Sequence, residues 1–182
     1  MLTYTAFKVI GRKDISMAVT GKIDRKYMAH YIDAGSLCGG LTPKYERLGK
    51  DLEEYNVELN PDTETSKNIL GESTFKHNGY EVSSDADPFY ADTTSDLFTA
   101  LQKIVDGRLK DDNLKTKAVE VHLWTEATAG KYEAYQQDCY VVPTSYGGDT
   151  SGYQIPFTVN YTGERVKGKF DISSGTFTAD SE

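Results

Sequence analysis

The sequence predicts a mainly β protein of the α+β class: a β-sandwich or barrel with one flanking amphipathic helix and a long extended loop. Composition is the first reason, because 13 Tyr and 16 Gly among 182 residues are typical of sheet-rich chains. Periodicity is the second, because alternation of apolar and polar residues recurs along the C-terminal half whereas a helical period occurs once. The length suits one domain, so residues 1–182 are predicted to form a single domain.

The N-terminal third predicts three short strands and then a long connection. The strands cover residues 4–12, 15–23 and 28–32. From Gly35 to about Pro61, glycines, a proline and an acidic run leave neither a helical nor a strand-like pattern of apolar residues, apart from a short candidate strand at 57–59. A connection of this length without structure is uncommon in a compact domain and is usually functional or disordered.

One amphipathic helix is predicted over residues 95–109. Thr93, Thr94 and Ser95 offer hydroxyl groups for the N-cap, and an acid at position 96 suits the first turn. The helix presents one apolar stripe at helical spacing, made of Leu97, Leu101, Ile104 and Val105. Gly107 marks its expected end. Such a stripe must pack against the face or edge of a sheet.

The C-terminal half predicts four further strands, over residues 118–124, 135–142, 153–161 and 165–172. Alternation places Tyr153 and the next four odd-numbered positions on one face. The sequence Thr162–Gly163–Glu164 predicts a three-residue hairpin loop between the last two strands. Pro156 lacks a backbone donor, so its strand is expected to be an edge strand or to begin at a bulge.

No pattern predicts an enzyme, a cofactor or a metal site. There is no phosphate-binding loop, no GxGxxG motif and no nucleophile elbow. The three histidines lie 47 and 45 residues apart, and Cys38 and Cys139 are expected to be inert buried thiols. Asp85 and Asp87 have the spacing of two calcium-loop ligands, but the rest of that loop is missing, so structural or solvated roles are expected. The chain shows no signal peptide and no membrane span, which favours a soluble protein made in the cytoplasm.

Charge is distributed unevenly along the chain. The net charge is -8, yet residues 1–50 hold nine Lys/Arg against four Asp/Glu, and residues 51–100 hold two against twelve. An acidic chain is a poor candidate for wrapping nucleic acid, whose affinity comes from Lys and Arg on phosphates. The opposite blocks can pair within one molecule, or between the basic part of one copy and the acidic part of the next.

The order of these features resembles a known family. The acidic aromatic stretch GYEVSSDADPFYADTTSD, the helix LFTALQKIVDGRL and the strand-rich YQQDCYVVPTSYGGDTSGYQIPFTVNYTGERVKGKFDI are similar to major tail proteins of long-tailed bacteriophages. The resemblance implies a tail tube-like fold whose subunits pair their sheets, form hexameric rings and stack into the tube of the virion. It implies contacts with tape-measure, tail terminator and tail-tip proteins, and synthesis in the host bacterial cytoplasm.

The resemblance also implies a long protruding loop, at about residues 35–75, that reaches a neighbouring subunit or ring. Its centre joins the basic to the acidic block, and the candidate self-assembly contacts there are Lys44, Arg47, Lys50, Asp51, Glu53, Glu54 and Glu58. An acidic lumen would repel phosphate, so DNA would pass through without specific binding.

Two other functions fit the sequence. A ring protein of a bacterial secretion or contractile injection system would share the tube architecture. A β-sandwich module that binds carbohydrate would use exposed tyrosines such as Tyr146 and Tyr153, because aromatic faces suit stacking on sugars.

Overall fold

The computed structural model describes residues 20–50, 52–125, 128 and 130–180. The strand predicted over 4–12, and most of that predicted over 15–23, therefore lie outside the described residues. The strands are β1 (Met28–Asp33), β2 (Tyr45–Arg47), β3 (Pro61–Lys67), β4 (Ser73–Tyr80), β5 (Ser83–Ala86), β6 (Lys115–His122), β7 (Lys131–Pro143), β8 (Gly147–Asp149), β9 (Gly152–Gln154), β10 (Phe157–Asp171) and β11 (Thr176–Ala179). The α-helix is α1 (Asp96–Gly107), and short 3-10 helices cover Arg25–Tyr27, Ala34–Gly39 and Asp111–Leu114. The chain is thus mainly β with one α-helix in its described part, as predicted.

Seven strands form one curled antiparallel sheet. Its order is β11-β10-β7-β6-β1-β2, and β5 pairs with β10 on the same side as β11. The ring of Phe170 on β10 lies 4.6 Å from the ring of Tyr31 on β1 and 5.7 Å from that of Tyr45 on β2. These strands are three and four places away in the sheet, so the sheet must curl to bring them together. Two further pairs, β3-β4 and β8-β9, stand apart from it.

Strand β10 corrects the predicted C-terminal hairpin. Residues 157–171 form a single strand that pairs with β7 along its whole length, and no turn occurs at Thr162–Glu164. The register shifts between Thr162 and Val166, where three residues oppose Gln137 in a bulge, and Gly163 has a φ of 67° there. The glycine supplies the bulge with its left-handed residue. Pro156 precedes the strand, whose pairing begins at Phe157.

Apolar side chains form one core on each face of the curled sheet. Inside the curl, Phe170, Val121 and Ala134 are completely buried. On the outer face the four predicted stripe residues of α1 are buried against the sheet, together with Ile155, Phe157 and Val159. The predicted apolar stripe of α1 is thus confirmed. The prediction that Ile155, Phe157 and Val159 share one face is confirmed as well.

The N-terminus of α1 is held by a side chain from the sheet edge. Ser95 is the N-cap, and its Oγ accepts a hydrogen bond from the backbone N of Phe98 at 2.9 Å. Glu46 on β2 accepts from Ser95 Oγ at 2.6 Å and from the Leu97 backbone N at 2.9 Å. A carboxylate at the N-terminus of a helix also interacts favourably with the helix dipole. The helix begins as predicted and ends at Gly107, the glycine expected to end it within the predicted range of 95–109.

The segment after β1 corrects the expectation of an unstructured connection over 35–61. It forms a 3-10 helix and β2, and Leu37, Leu48 and Tyr55 are buried in the outer core. The fully buried Asp33 organises its first turn, accepting from the backbone N of Lys44 at 2.7 Å and from Ser36. The candidate strand at 57–59 is reduced to one isolated bridge between Glu58 and Ser83.

Candidate assembly surfaces

An exposed β-hairpin extends from the body of the protein. It consists of β3 and β4, whose residues are all exposed except for the half-buried Gly79, and which contact chiefly each other. We call residues 61–80 the arm. It is shorter than the loop predicted over about 35–75 and lies further along the chain, because the first part of that span packs onto the body.

The two faces of the arm differ in polarity. Register places Thr65 opposite Phe75 and Thr63 opposite His77, and a bulge at Asn78 returns Tyr80 to the same face. The rings of His77 and Tyr80 are 4.6 Å apart, which agrees with this placement. Phe75 and Tyr80 are 67% and 58% exposed. A two-stranded hairpin with an uncovered aromatic face is marginal by itself in water, so this face is suited to a partner.

The tip of the arm presents two apolar side chains to solvent. Ile69 and Leu70 are 102% and 78% exposed. Asn68 builds the turn that carries them: its Oδ1 accepts from the backbone N of Leu70 and of Glu72, each at 3.0 Å, and its Nδ2 donates to Glu72 at 2.6 Å. The turn also contains Gly71, with a φ of 81°. The side chain of Asn68 thus fixes the tip without burying its apolar residues.

A cleft of about 360 Å³ opens beside the root of the arm, on the outer face of the sheet. Val57, Leu59, Tyr80 and Val82 form the wall nearest the arm, and Ala118 is among the sheet residues that face it. Leu59 is 53% exposed although it lines the cleft. The cleft is therefore an open recess whose wall nearest the arm is apolar, next to the aromatic face of the arm.

The inner end of the cleft is polar and internally satisfied. Ser84 Oγ donates to the hydroxyl of Tyr55 at 2.7 Å, and the hydroxyl of Tyr161 lies 3.3 Å from each of them. Among the described residues, no buried side-chain nitrogen or oxygen lacks a hydrogen-bond partner. The His30 ring lies 4.9 Å from the Tyr55 ring in a tilted arrangement, and burial lowers the pKa of His30 to about 4, so this imidazole is neutral at physiological pH.

A ladder of charged side chains continues from the cleft along β6, β7 and β10. Arg165 donates to Glu120 at 2.6 Å, and its guanidinium lies 4.5 Å from the centre of the Tyr135 ring. His122 Nε2 lies 2.8 Å from Glu120 and its ring stacks at 4.2 Å on Trp124. Burial raises the pKa of Glu120, but the hydrogen bond from His122 and the charge of Arg165 outweigh burial and leave that pKa below its usual value. These groups balance one another's charge.

Two of the three basic members of the predicted contact set pair with carboxylates at the start of α1 and just before it, rather than with the acidic members. Lys44 and Lys50 form ion pairs with Asp96 and Asp92, each at 2.5 Å. The hydrogen bonds from Lys50 and Thr94 hold the pKa of Asp92 well below its usual range. Lysines of the basic block, residues 1–50, thus pair with aspartates of the acidic block, residues 51–100, within one molecule.

The other predicted contacts lie near the surface. Arg47 and Glu53 line a shallow groove with Arg25, and Glu54 accepts a hydrogen bond from Asn56. Glu58 forms the backbone bridge to β5, and its side chain is exposed. Asp51 lies outside the described residues. Glu46, which is absent from the predicted set, joins β2 to the start of α1. The sequence could have drawn attention to it, because it is the one acid among Lys44, Arg47 and Lys50.

The remaining candidate chemical groups have structural surroundings. Cys139 is fully buried, as expected, and burial raises the pKa of its thiol to about 12. Cys38 is only half-buried, and desolvation raises its pKa as well. Asp85 accepts a hydrogen bond from Thr158. Within the described ranges no group of three or more His, Cys, Asp or Glu could hold a metal ion, and no helix is long and apolar enough to span a membrane.

The tyrosines considered for carbohydrate stacking both contact α1. The hydroxyl of Tyr146 accepts from Arg108 at 3.1 Å, and the hydroxyl of Tyr153 donates to Gln102 at 2.9 Å. The Tyr153 ring also meets Phe98 edge-on at 6.2 Å. A role for these rings in sugar binding stays a prediction.

Comparison of the chain with protein-family models and with curated protein sequences finds no match.

Proposed function

We propose that the protein is a structural subunit that assembles with its own copies into stacked rings, forming the tube of a bacteriophage tail. The observation that carries the proposal is the arm: an exposed hairpin with an aromatic face and an apolar tip, attached to a curled sheet. Exposed apolar surface of this kind marks a site of protein association. The arm lies within the region where the resemblance to major tail proteins implies contacts between subunits.

The sheet supports the same proposal. Its edge beyond β10 consists of the short strands β5 and β11, and the residues of β11 are exposed apart from the half-buried Phe177. An exposed edge is a template for a strand from another chain, and closure with neighbouring subunits removes it. A ring of such subunits would be hexameric by resemblance. A tube protein of a secretion or contractile injection system would use the same surfaces.

Light scattering and negative-stain microscopy of the purified chain, over a concentration and salt series, test the proposal. We expect mass to rise with concentration and rings or short tubes with a central hole to appear. A monomer that stays monomeric at every concentration, and also after addition of tail-tip proteins, would overturn it. Because Lys44 and Lys50 already pair within the molecule, we expect assembly to depend more on the apolar arm than on salt.

A further inference from the structure

We propose that the arm tip of one copy, Ile69 with Leu70, inserts into the apolar cleft beside the arm root of a second copy. This inference rests on the proposed function and adds the two surfaces that meet. The occupant of the cleft is thus a second copy of this chain.

The tip has the properties of an inserting group. Its turn is already fixed by the five hydrogen bonds that link Asn68 with residues 70–72, so little conformational entropy is lost when it docks. Ile69 and Leu70 are fully or largely exposed, and burying a large aliphatic side chain is among the strongest single contributions to association. Turn positions are normally polar, which makes two adjacent apolar residues here a feature that folding of the monomer does not explain.

The cleft has the properties of a receiving site. Its wall nearest the arm is apolar, with Val57, Leu59 and Val82, and it is open to solvent. Its sheet side also carries polar side chains, among them Glu120, Gln137 and Arg165. Polar groups at its inner end are satisfied by one another, so an apolar insert leaves the hydroxyls of Tyr55 and Tyr161 with their partners. An apolar tip seated on the wall nearest the arm therefore removes apolar surface from water and leaves these hydroxyl hydrogen bonds intact.

The geometry of the arm separates its tip from its own cleft. Strand β3 has seven residues, which at about 3.3 Å per residue places the tip roughly 20 Å from the arm root. The cleft adjoins that root, where Leu59 and Tyr80 line it. A paired hairpin is too stiff to fold back over this distance while keeping its ladder, so the contact must form between copies.

Charges beside the two surfaces are complementary. Lys67 and Lys76 on the arm are exposed and form no ion pair with any described residue. Glu58 and Glu81 are exposed on the two chain segments that carry Leu59 and Tyr80, beside the cleft and outside its lining. Docking brings lysines of one copy toward carboxylates of the next, which adds orientation to the apolar contact.

Paired substitutions on the two surfaces test the contact. Ile69→Asp with Leu70→Asp disables the tip, and Leu59→Asp disables the cleft. Leu41→Asp is the matched control, because Leu41 is 95% exposed and belongs neither to the arm nor to the lining of the cleft. We expect each disabling variant to weaken self-association at least about tenfold, which corresponds to 1.4 kcal/mol, and the control to assemble like the wild type. An equimolar mixture of the tip and cleft variants retains one intact contact and should form heterodimers.

Cross-linking gives a second readout that does not depend on the size of the assembly. In a Cys38→Ser background, Leu70→Cys and Leu59→Cys proteins are mixed and mildly oxidised. We expect a mixed disulfide between them, and none between Leu41→Cys and Leu59→Cys. A tip variant that assembles like the wild type, with no mixed disulfide, overturns the docking but leaves the proposed function standing. A wild type that never assembles overturns the proposed function. Binding of the wild type to lipid vesicles that is lost in the tip variant would assign the tip to a membrane and overturn the docking.

Discussion

Replacing the buried Asp33 is expected to destabilise the whole connection between β1 and β2. The Asp33 carboxylate is fully buried and accepts three hydrogen bonds, from the backbone N of Ser36 at 3.2 Å, from Ser36 Oγ at 2.5 Å and from the backbone N of Lys44 at 2.7 Å. A Cβ at Gly35 would lie 2.1 Å from the Thr42 carbonyl oxygen, so the chain passes too closely here to rearrange easily.

The magnitude follows from the donors that lose their acceptor. Asp33→Ala leaves two backbone N–H groups and one hydroxyl without a hydrogen-bond acceptor, and each buried unsatisfied donor costs about 1–3 kcal/mol. Water can reach the hydroxyl of Ser36, which is only half-buried, so we expect a loss of about 3 kcal/mol in the free energy of unfolding. For a chain of this size that lowers Tm by about 10 °C.

Asp33→Asn is the matched control. Its remaining oxygen can accept from both backbone N–H groups, and the Ser36 hydroxyl can rotate to accept from the new amide. We expect a loss of about 1 kcal/mol. Urea denaturation followed by circular dichroism measures both variants. If Asp33→Ala costs less than about 1 kcal/mol, or if both variants cost the same, the reasoning from lost acceptors is wrong.

Three further predictions address the pH dependence, the helix cap and the thiols. The pKa of His30 is about 4 in the folded protein against 6.5 when unfolded, so the unfolded state binds the extra proton between these values. Stability is therefore full above pH 6.5 and falls as pH drops toward 4. Urea denaturation should show a loss of about 2.5 kcal/mol from about pH 7.5 to about pH 4.5, and a smaller loss in His30→Gln. Glu46→Ala removes two hydrogen bonds at the start of α1 and should cost about 1–2 kcal/mol, with Glu46→Gln at roughly half, in thermal unfolding; equal costs would contradict the capping role. Cys38 should react with a disulfide reagent at least about tenfold faster than the buried Cys139 in the native protein, and Cys38→Ser should then react only after unfolding.

The helix and most strands of the described part follow from the sequence because their signals are local. The apolar stripe of α1 and the alternation in β6 and β7 each lie within one segment, and packing onto the sheet reinforces them. The error at Gly163 shows the limit of this reasoning. A glycine in a polar triplet suits a hairpin turn and a bulge equally well, and only the length of the partner strand β7 decides for the bulge.

The arm escaped prediction for a different reason. The bulge at Asn78 breaks the period of two, so Phe75, His77 and Tyr80 do not alternate in the sequence although they share a face. The opposite face and β3 are polar, which makes the segment resemble a loop. The pairing of Lys44 and Lys50 with Asp96 and Asp92 was equally hidden, because more than 40 residues separate the partners in the chain.

Removal of the arm tests most directly whether it drives assembly. The backbone N of Glu81 donates to the carbonyl oxygen of Asn60 at 3.1 Å, so a two-glycine loop can join these residues in place of 61–80. Sedimentation velocity of the wild type and this armless variant, over the same concentrations, gives their masses. We expect the wild type to form assemblies of several subunits and the armless chain to sediment as a folded monomer. Identical sedimentation of the two proteins would contradict the role of the arm.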